Sequence, residues 1–407
     1  MNPINILGIN VNTYNKQEVL AKLVFFLTSD KQHYLATPNP EMILEATSRD
    51  EELFYILNKA DLSLPDGMGL KIAAWFLGSS ISRITGADLT KDILALAEKN
   101  NQKVAVLNWG NGLSSAEDIS QALANQYPGL KFIAQDIARK VIGQDDIIEV
   151  VKKFQPTIIF VALGAPWQEK FIFHNLSKLS SIKIAIGVGG VFDFLTKKIK
   201  RAPKILRAIG LEWLWRLAKQ PWRWRRIYRA TIVFPAKFFL WRFIYPFKYR
   251  PNVVCLLYQT EQGRGGEIIY KILIVERADE PGHWQLPQGG RDGEDLLTAG
   301  QRELAEEINS SKFKPVVALD KLHVYEFGEK ISKFGVKAKL ARGYKGQKQG
   351  LFIAEFFGGD EDIKINHWEH RNWQWVNDSE LVSQVHPLRR QATKIFLNKF
   401  KQIVADK

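Results

Sequence analysis

Between Leu286 and Ile308 the chain reads LPQGGRDGEDLLTAGQRELAEEI, and no other stretch restricts the possible folds so strongly. Glu303, Glu306 and Glu307 stand at i, i+3 and i+4, so a helix there projects three carboxylates to one side. Like charges at that spacing cost about 0.2–0.5 kcal/mol each, which a bound cation offsets. A hard divalent ion such as Mg²⁺ takes oxygen ligands and keeps positions open for substrate phosphates. Gly289, Gly290 and Gly293 supply a tight turn ahead of the helix, and Arg302 follows Glu294 by eight residues. The planar guanidinium of Arg302 suits a two-pronged grip on a neighbouring carboxylate. An acidic, solvated helix surface is the plainer alternative for such a run.

The segment resembles the Nudix hydrolase signature, with Glu294, Arg302, Glu303, Glu306 and Glu307 in register. HWQLPQGG (283–290), GYKGQKQGLFIAEFFG (343–358) and EHRNWQWV (369–376) are similar to the branch holding RNA 5′-pyrophosphohydrolases and diadenosine polyphosphate hydrolases. The resemblance covers about residues 251–400 and implies an α/β/α domain that hydrolyses phosphoanhydrides with Mg²⁺. It implies Glu303, Glu306, Glu307 and Glu369 as metal ligands, Glu306 and Glu307 being catalytic and Glu369 a ligand or base. Gln347 and Lys348 would line the phosphate site, with an exposed strand charge as the plainer reading of Lys348. Gly289, Gly290, Glu294 and Arg302 would shape the box. Two departures stand out: the loop before Glu294 is one residue short, and Asn309 replaces the glycine after the helix. Asparagine is the best non-glycine residue for a left-handed helix end.

The chain has 407 residues, enough for two or three domains, and one cysteine, Cys255. A reducing compartment is expected, since no intrachain disulfide can form. The N-terminal sequence has no basic stretch leading into an apolar run, and no segment offers the roughly 18 apolar residues of a membrane span. The seven histidines show no metal-ligand spacing and read as structural or surface residues.

The net charge of +14 is concentrated. Residues 195–250 hold 16 basic residues against Glu212 alone, whereas the rest of the chain has 41 basic against 42 acidic. The same segment carries Trp213, Trp215, Trp222, Trp224 and Trp241, five of the twelve tryptophans. Aromatic and apolar residues recur at helical intervals between the arginines, and Pro221, Pro235 and Pro246 interrupt the pattern. Such helices suit the interface of an anionic bilayer, where each basic residue contributes about 1 kcal/mol. A nucleic-acid surface and a helical hairpin packed on a domain core are the alternatives. The run FPAKFFLWRFIYPF favours the bilayer, being more apolar than a nucleic-acid groove needs.

Residues 1 to about 200 alternate short apolar runs with helical patterns such as LTKDILALAEKN. HYLAT, KVAVLN, TIIFVALG and KIAIGVGG are unbroken apolar strands, as expected for a parallel sheet covered on both faces. Ligands of such sheets bind beyond the carboxyl ends of strands, where TPNPE, PDGMG, NWGNG, GAPWQE and GVGG fall. TPNPEMILEA, LPDGMGL, RITGADL, LGAPWQEKFI and GVGGVFDFLTKKIKRAP leading into GLEWLWRL resemble, in order, the WecG/TagA/CpsF glycosyltransferases over about residues 5–230.

That resemblance implies a Rossmann-like domain performing inverting, metal-independent transfer from a UDP-sugar donor to a diphospholipid-linked sugar acceptor. N-acetylmannosamine is the sugar expected. Asp66 matches the family's base, and Thr37, Asn39 and Gln168 match pocket residues suited to sugar hydroxyls. Arg83 would hold an acid or a phosphate. Arg216, Arg223 and Arg226 are candidates for the donor or lipid diphosphate, a solvated or headgroup-facing arginine being the alternative for each. The chain departs from the family where Asn108 replaces a glycine and where a glycine-aromatic motif is missing near Gln135 and Asp136.

The sequence thus predicts an α/β protein in three parts: a glycosyltransferase domain at 1–200, a basic aromatic membrane-associating appendage at 201–250, and a Nudix domain at 251–407. It would be a bifunctional bacterial enzyme, cytoplasmic and peripheral on the inner face of the cell membrane. A nucleotide substrate serves the Nudix domain, and a homo-oligomer is a further assembly the reading allows. The rival is a lipid- or RNA-binding scaffold with one silent domain.

Overall fold

A computed structural model describes residues 3–48, 50–82, 84–203, 206, 212–263, 265–327 and 343–405. The chain divides into two compact units, the first running to Leu240 and the second beginning at Trp241. Residues 212–240 of the basic segment therefore belong with the first unit.

The first unit opens with a hairpin, β1 (Ile4–Ile6) and β2 (Ile9–Val11). Its main sheet holds β3 (His33–Ala36), β4 (Leu62–Ser63), β5 (Lys103–Trp109), β6 (Lys131–Ile137), β7 (Ile158–Ala162) and β8 (Ile184–Gly187). The order is β4-β3-β8-β7-β5-β6, and every pairing is parallel. The strands expected from apolar runs are β3, β5, β7 and β8, which lie together in the sheet. Edge strands β4 and β6 were not anticipated: β4 spans two residues, and β6 is largely half-exposed. Leu35, Val104, Val106, Ile158, Phe160, Ile184 and Ile186 form the core with Leu89, Ile93 and Ala97 of the helix Gly86–Lys99. Burying each large side chain contributes about 1.5–3 kcal/mol.

The topology fixes where a site can form. Loops after β4, β3, β8 and β7 leave one edge of the sheet side by side, because all four strands run the same way. The loop after β3 leads directly into a helix with a polar cap, and helices elsewhere in the unit are capped in the same way. Asn39 caps Pro40–Ala46, Thr85 caps Gly86–Lys99, and Ser115 caps Ala116–Gln126.

The second unit has a mixed sheet of β9 (Tyr249–Gln262), β10 (Ile268–Arg277), β11 (Trp284–Gln285), β12 (Gln288–Gly290), β13 (Phe313–Glu326), β14 (Gly346–Phe356) and β15 (His370–Asn377). Strands β9 and β14 are parallel, and the other pairings are antiparallel. Alternation along β9 divides the core. Val253, Cys255 and Leu257 meet Ala299, Leu304 and Ile308 of the helix Leu296–Ile308. Val254, Leu256 and Tyr258 meet Phe396 and Phe400 of the helix Arg390–Ala405. These two faces make the α/β/α sandwich.

Gly300 lets the helix Leu296–Ile308 approach the sheet. A Cβ there would lie 2.6 Å from Phe352 Cβ, an atom that cannot swing aside. Alanine is about 1 kcal/mol better than glycine in a helix interior, but overpacking a rigid contact costs about 1–3 kcal/mol, so the clash prevails. Gly300→Ala should lower the unfolding temperature of the second unit in calorimetry; an unchanged or raised transition would show the helix can shift freely.

Candidate active sites

The two units place polar side chains at two separate sites. In the first, Thr37 and Asn39 follow β3, and Asp66 follows β4. Thr37 Oγ1 and Asp66 Oδ2 converge over Gly86, lying 3.5 Å and 3.9 Å from where a side chain would begin. Asp66 Oδ2 accepts a long hydrogen bond from Gly86 N, 3.5 Å, and Asp66 N donates to Pro38 O at 2.8 Å. The carboxylate is thus brought to the neighbouring loop by backbone contacts.

Asn39 and Gln168 have structural work in addition to any substrate contact. Asn39 Oδ1 accepts from Glu41 N and Met42 N, both at 3.0 Å, capping the helix that follows. Gln168 Oε1 accepts from Gly164 N at 3.0 Å and Gly189 N at 2.8 Å, joining the loops after β7 and β8. Gln168 Nε2 donates to Glu169 Oε1 at 2.7 Å. Glu169 is buried, and burial pushes its carboxyl up to about 7, with a further push from Asp50. The motif GAPWQE contained Glu169, yet its apolar surroundings come from distant parts of the chain and were not readable.

The arginine candidates separate. Arg226 Nε donates to Glu41 Oε2 at 2.6 Å, and Arg229 pairs with Glu45 at 2.7 Å, one helical turn along the same helix. Arg223 Nη1 donates to Gln220 Oε1 at 2.9 Å, and its charge also reaches Asp193, which accepts from Ser114 Oγ at 2.8 Å. Arg83 and the side chain of Arg216 lie outside the described residues. Asn108 Nδ2 donates to Asp136 Oδ1 and Ser114 O, both at 2.7 Å, which ties β5 to β6 and to the turn that follows.

The second site is built around Arg302. Its Nε donates to Glu294 Oε2 at 2.9 Å and its Nη2 to Gly290 O at 2.9 Å. Its Nη1 bridges Glu303 Oε1 at 2.8 Å and Glu306 Oε2 at 3.1 Å. Burial works against the guanidinium charge, but these carboxylates hold its pKa above the usual arginine range. Glu303 and Glu307 are buried, whereas Glu306 is largely exposed. Glu307 Oε1 accepts from Gln288 N at 2.8 Å. A Cβ at Gly289 would lie 2.5 Å from Glu303 Oε1, so only glycine leaves the carboxylate its place against the strand. Asn309 takes the left-handed conformation expected of it, φ 46° and ψ 41°.

Glu369 precedes β15, its carbonyl accepting from Ala278 N at 2.8 Å. Lys348 and Gln347 part company. The alternation that sends Phe352 to the face of Leu296–Ile308 sends Lys348 there too, and Gln347 to the opposite face. Gln347 Oε1 accepts from Tyr325 OH at 2.6 Å, and Arg389 Nη1 donates to the same hydroxyl at 3.1 Å. Gln349 Nε2 donates to Gln288 Oε1 at 3.0 Å, linking this face to the start of β12, whose Gln288 N holds Glu307. Tyr325, Gln349 and Arg389 were not foreseen, being far from the signature in sequence.

The histidines are also less scattered than their spacing suggested. Glu280, His283 and His386 each bring a potential ligand atom within 4.8 Å of the others, and the two rings stack at 4.0 Å. Arg389 Nε donates to His283 Nε2 at 3.4 Å, so the neutral ring carries its proton on Nδ1, towards Glu280 at 3.0 Å. Burial first, then the charges of His386, Arg277 and Arg389, push His283 down to about 4.

The first site thus sets a carboxylate at the carboxyl edge of a parallel sheet, and the second sets acidic groups on a helix behind a glycine turn. Residues 4–246 match the glycosyl transferase WecG/TagA/CpsF family and residues 248–398 match the NUDIX domain. The chain belongs to the WecG/TagA/CpsF family. It is an enzyme joining a glycosyltransferase to a Nudix hydrolase domain. It is 31% identical over 223 residues, 53% of this chain and 85% of the relative, to the N-acetylglucosaminyldiphosphoundecaprenol N-acetyl-beta-D-mannosaminyltransferase of Bacillus subtilis. A Staphylococcus aureus enzyme of the same name is 29% identical over 56% of this chain and 89% of its own. Among solved structures, a C. elegans Ap4A hydrolase binary complex aligns with TM-score 0.28 and 22% identity, over 39% of this chain and 99% of its own.

Asn39→Asp retains the capping oxygen but removes the amide N–H₂, whereas Asn39→Ala removes both. The aspartate variant should keep the wild-type unfolding temperature while raising the KM for a sugar-nucleotide donor, and the alanine variant should also lose about 1 kcal/mol of stability. An aspartate variant with wild-type KM would confine Asn39 to capping.

Proposed function

We propose that the first unit transfers an N-acetylhexosamine, N-acetylmannosamine foremost, from a UDP donor to a diphospholipid-linked sugar with inversion. The observation carrying this reading is the convergence of Asp66 and Thr37 over Gly86 at the carboxyl edge of the parallel sheet. Asp66 takes the proton of the acceptor hydroxyl as that oxygen bonds the anomeric carbon, and the bond to UDP breaks on the opposite face. Arg216, Arg223 and Arg226 are assigned to the departing diphosphate, and Arg83 to an acid or phosphate nearby. Arg226 must exchange Glu41 for phosphate to serve this role. Residues 201–250 dock on the anionic inner face of the membrane. Exposed Trp222, Trp224, Tyr228, Ile232 and Phe239 stand there among Arg223, Arg225, Arg226, Arg229 and Lys237, and no described helix is long and apolar enough to cross a membrane.

The second unit hydrolyses a nucleoside diphosphate-linked compound with Mg²⁺. The site fits a hard cation, since the backbone at Gly289 leaves room only for the Glu303 carboxylate and Arg302 aligns that group with Glu306. Glu303, Glu306, Glu307 and Glu369 would hold the ion, which supplies a nucleophilic water and offsets phosphate charge. Arg302 orients the carboxylates, Glu306 or Glu307 receives the proton of the attacking water, and Lys348 binds phosphate from the adjoining strand.

Two measurements test these readings independently. With UDP-N-acetylmannosamine and a GlcNAc-diphospholipid analogue in EDTA, the wild type should release UDP, and Asp66→Ala should be about 10²–10⁴-fold slower. Equal rates would remove Asp66 as the base. In Mg²⁺, the Asp66→Ala chain should cleave UDP-linked compounds and Glu306→Gln should be at least about tenfold slower. Cleavage of dinucleoside polyphosphates alone would separate the Nudix reaction from the transferase substrates.

A further inference from the structure

Glu169 is the most deeply buried carboxylate among the described residues, at 1% exposure. It lies in the helix Trp167–Asn175, beside Gln168 and just after the loop that leaves β7. Its Oε1 receives Gln168 Nε2 at 2.7 Å, while its Oε2 is buried without a hydrogen-bond partner. The charged groups around it are committed elsewhere. Lys170 pairs with Asp50 at 2.9 Å and with Glu52 at 2.8 Å, and Glu52 also meets His174. Tyr34 faces Glu169 from β3, and burial followed by the Glu169 charge raises that phenol well above its usual range.

The consequence lies in the direction in which the Gln168 amide points. Its oxygen must face the N–H groups of Gly164 and Gly189, because a reversed amide would set its own N–H₂ against two donors. Glu169 enforces the same orientation from the other side, since a carboxylate only accepts. One amide therefore ties the loops after two adjacent strands, and one carboxylate holds the amide.

We propose that Glu169 is a positioning residue of the transferase pocket, fixing Gln168 so that the loops at Gly164 and Gly189 are held in donor-binding register. The proposal rests on the reading of that pocket as the sugar-transfer site. Charge decides how firmly the clamp holds. A hydrogen bond to an ionised carboxylate is roughly twice as strong as one to its neutral form. The raised Glu169 carboxyl, about 7, makes the change fall near neutrality. The sign follows directly: above about pH 7 Glu169 is ionised and the clamp is tight, and as pH falls through that value the proton weakens it.

Glu169→Gln keeps the shape and a neutral hydrogen bond, so it copies the protonated state at every pH. In the full-length wild type, the backbone amide resonances of Gly164 and Gly189 should titrate together with a midpoint near the Glu169 value, about 7. The kcat/KM for the UDP-sugar donor should drop about fivefold across the same range, mainly through KM. In Glu169→Gln both responses should vanish, leaving the low-pH level throughout. Glycine resonances that titrate unchanged in the variant would overturn the clamp, and an unchanged donor KM would overturn its role in positioning. A wild type that turns over no UDP-sugar would instead count against the transferase reading, while the glycine resonances still decide whether Glu169 governs the loops.

Discussion

Crowding several carboxylates on one helix is unfavourable unless something binds them, and in the second unit Arg302 does so. One guanidinium takes Glu294, Glu303, Glu306 and the carbonyl of Gly290, joining the helix to the glycine turn ahead of it. Around it, the glycines keep backbone and side chains in contact: Gly289 makes way for Glu303, and Gly290 for Arg250. The arrangement remains polarised, because one positive charge cannot neutralise this many acids. The residual negative charge is what a phosphate-processing site with a divalent cation needs.

The first unit meets a related problem by different means. Its loops leave the sheet with unpaired backbone donors, and side-chain oxygens satisfy them. Asn39 takes two amides at the start of a helix, and Gln168 takes two across neighbouring loops. Asp66 reaches the adjacent loop through Gly86 N. The polar residues near the pocket are therefore part of its walls, and their substrate chemistry depends on groups left over after that task. Two basic side chains of the appendage belong to the same framework, since Arg226 and Arg229 hold the helix that Asn39 begins.

Much of this was legible from residue order, for identifiable reasons. The Nudix helix was readable because its acidic residues are three and four positions apart, the spacing that puts side chains on one helical face. Strands β3, β5, β7 and β8 were readable because burial on both faces leaves unbroken apolar runs, whereas β6 at the sheet edge has no such run. The parts that escaped depend on long-range proximity. His283 and His386 stack although they are far apart in sequence, and Glu169 owes its environment to Asp50 and Tyr34. Gln168 was singled out as a pocket candidate, but its link between Gly164 and Gly189 was not readable, because no local spacing encodes a contact between loops. Along β14, residue adjacency even misleads, since Gln347 and Lys348 are neighbours in order and opposed in space.

Asn108 and Asp136 face each other on the neighbouring strands β5 and β6 and are hydrogen-bonded at 2.7 Å. Asp136 also receives Ala116 N at 3.0 Å, so the pair anchors the turn into the next helix. The two side chains thus act as one structural unit. Replacing Asn108 alone strips the Asp136 carboxylate of its amide partner, whereas replacing Asp136 alone still leaves that amide its bond to Ser114 O. Exchanging this strand pair for other residues is accordingly a two-residue change whose halves are not additive.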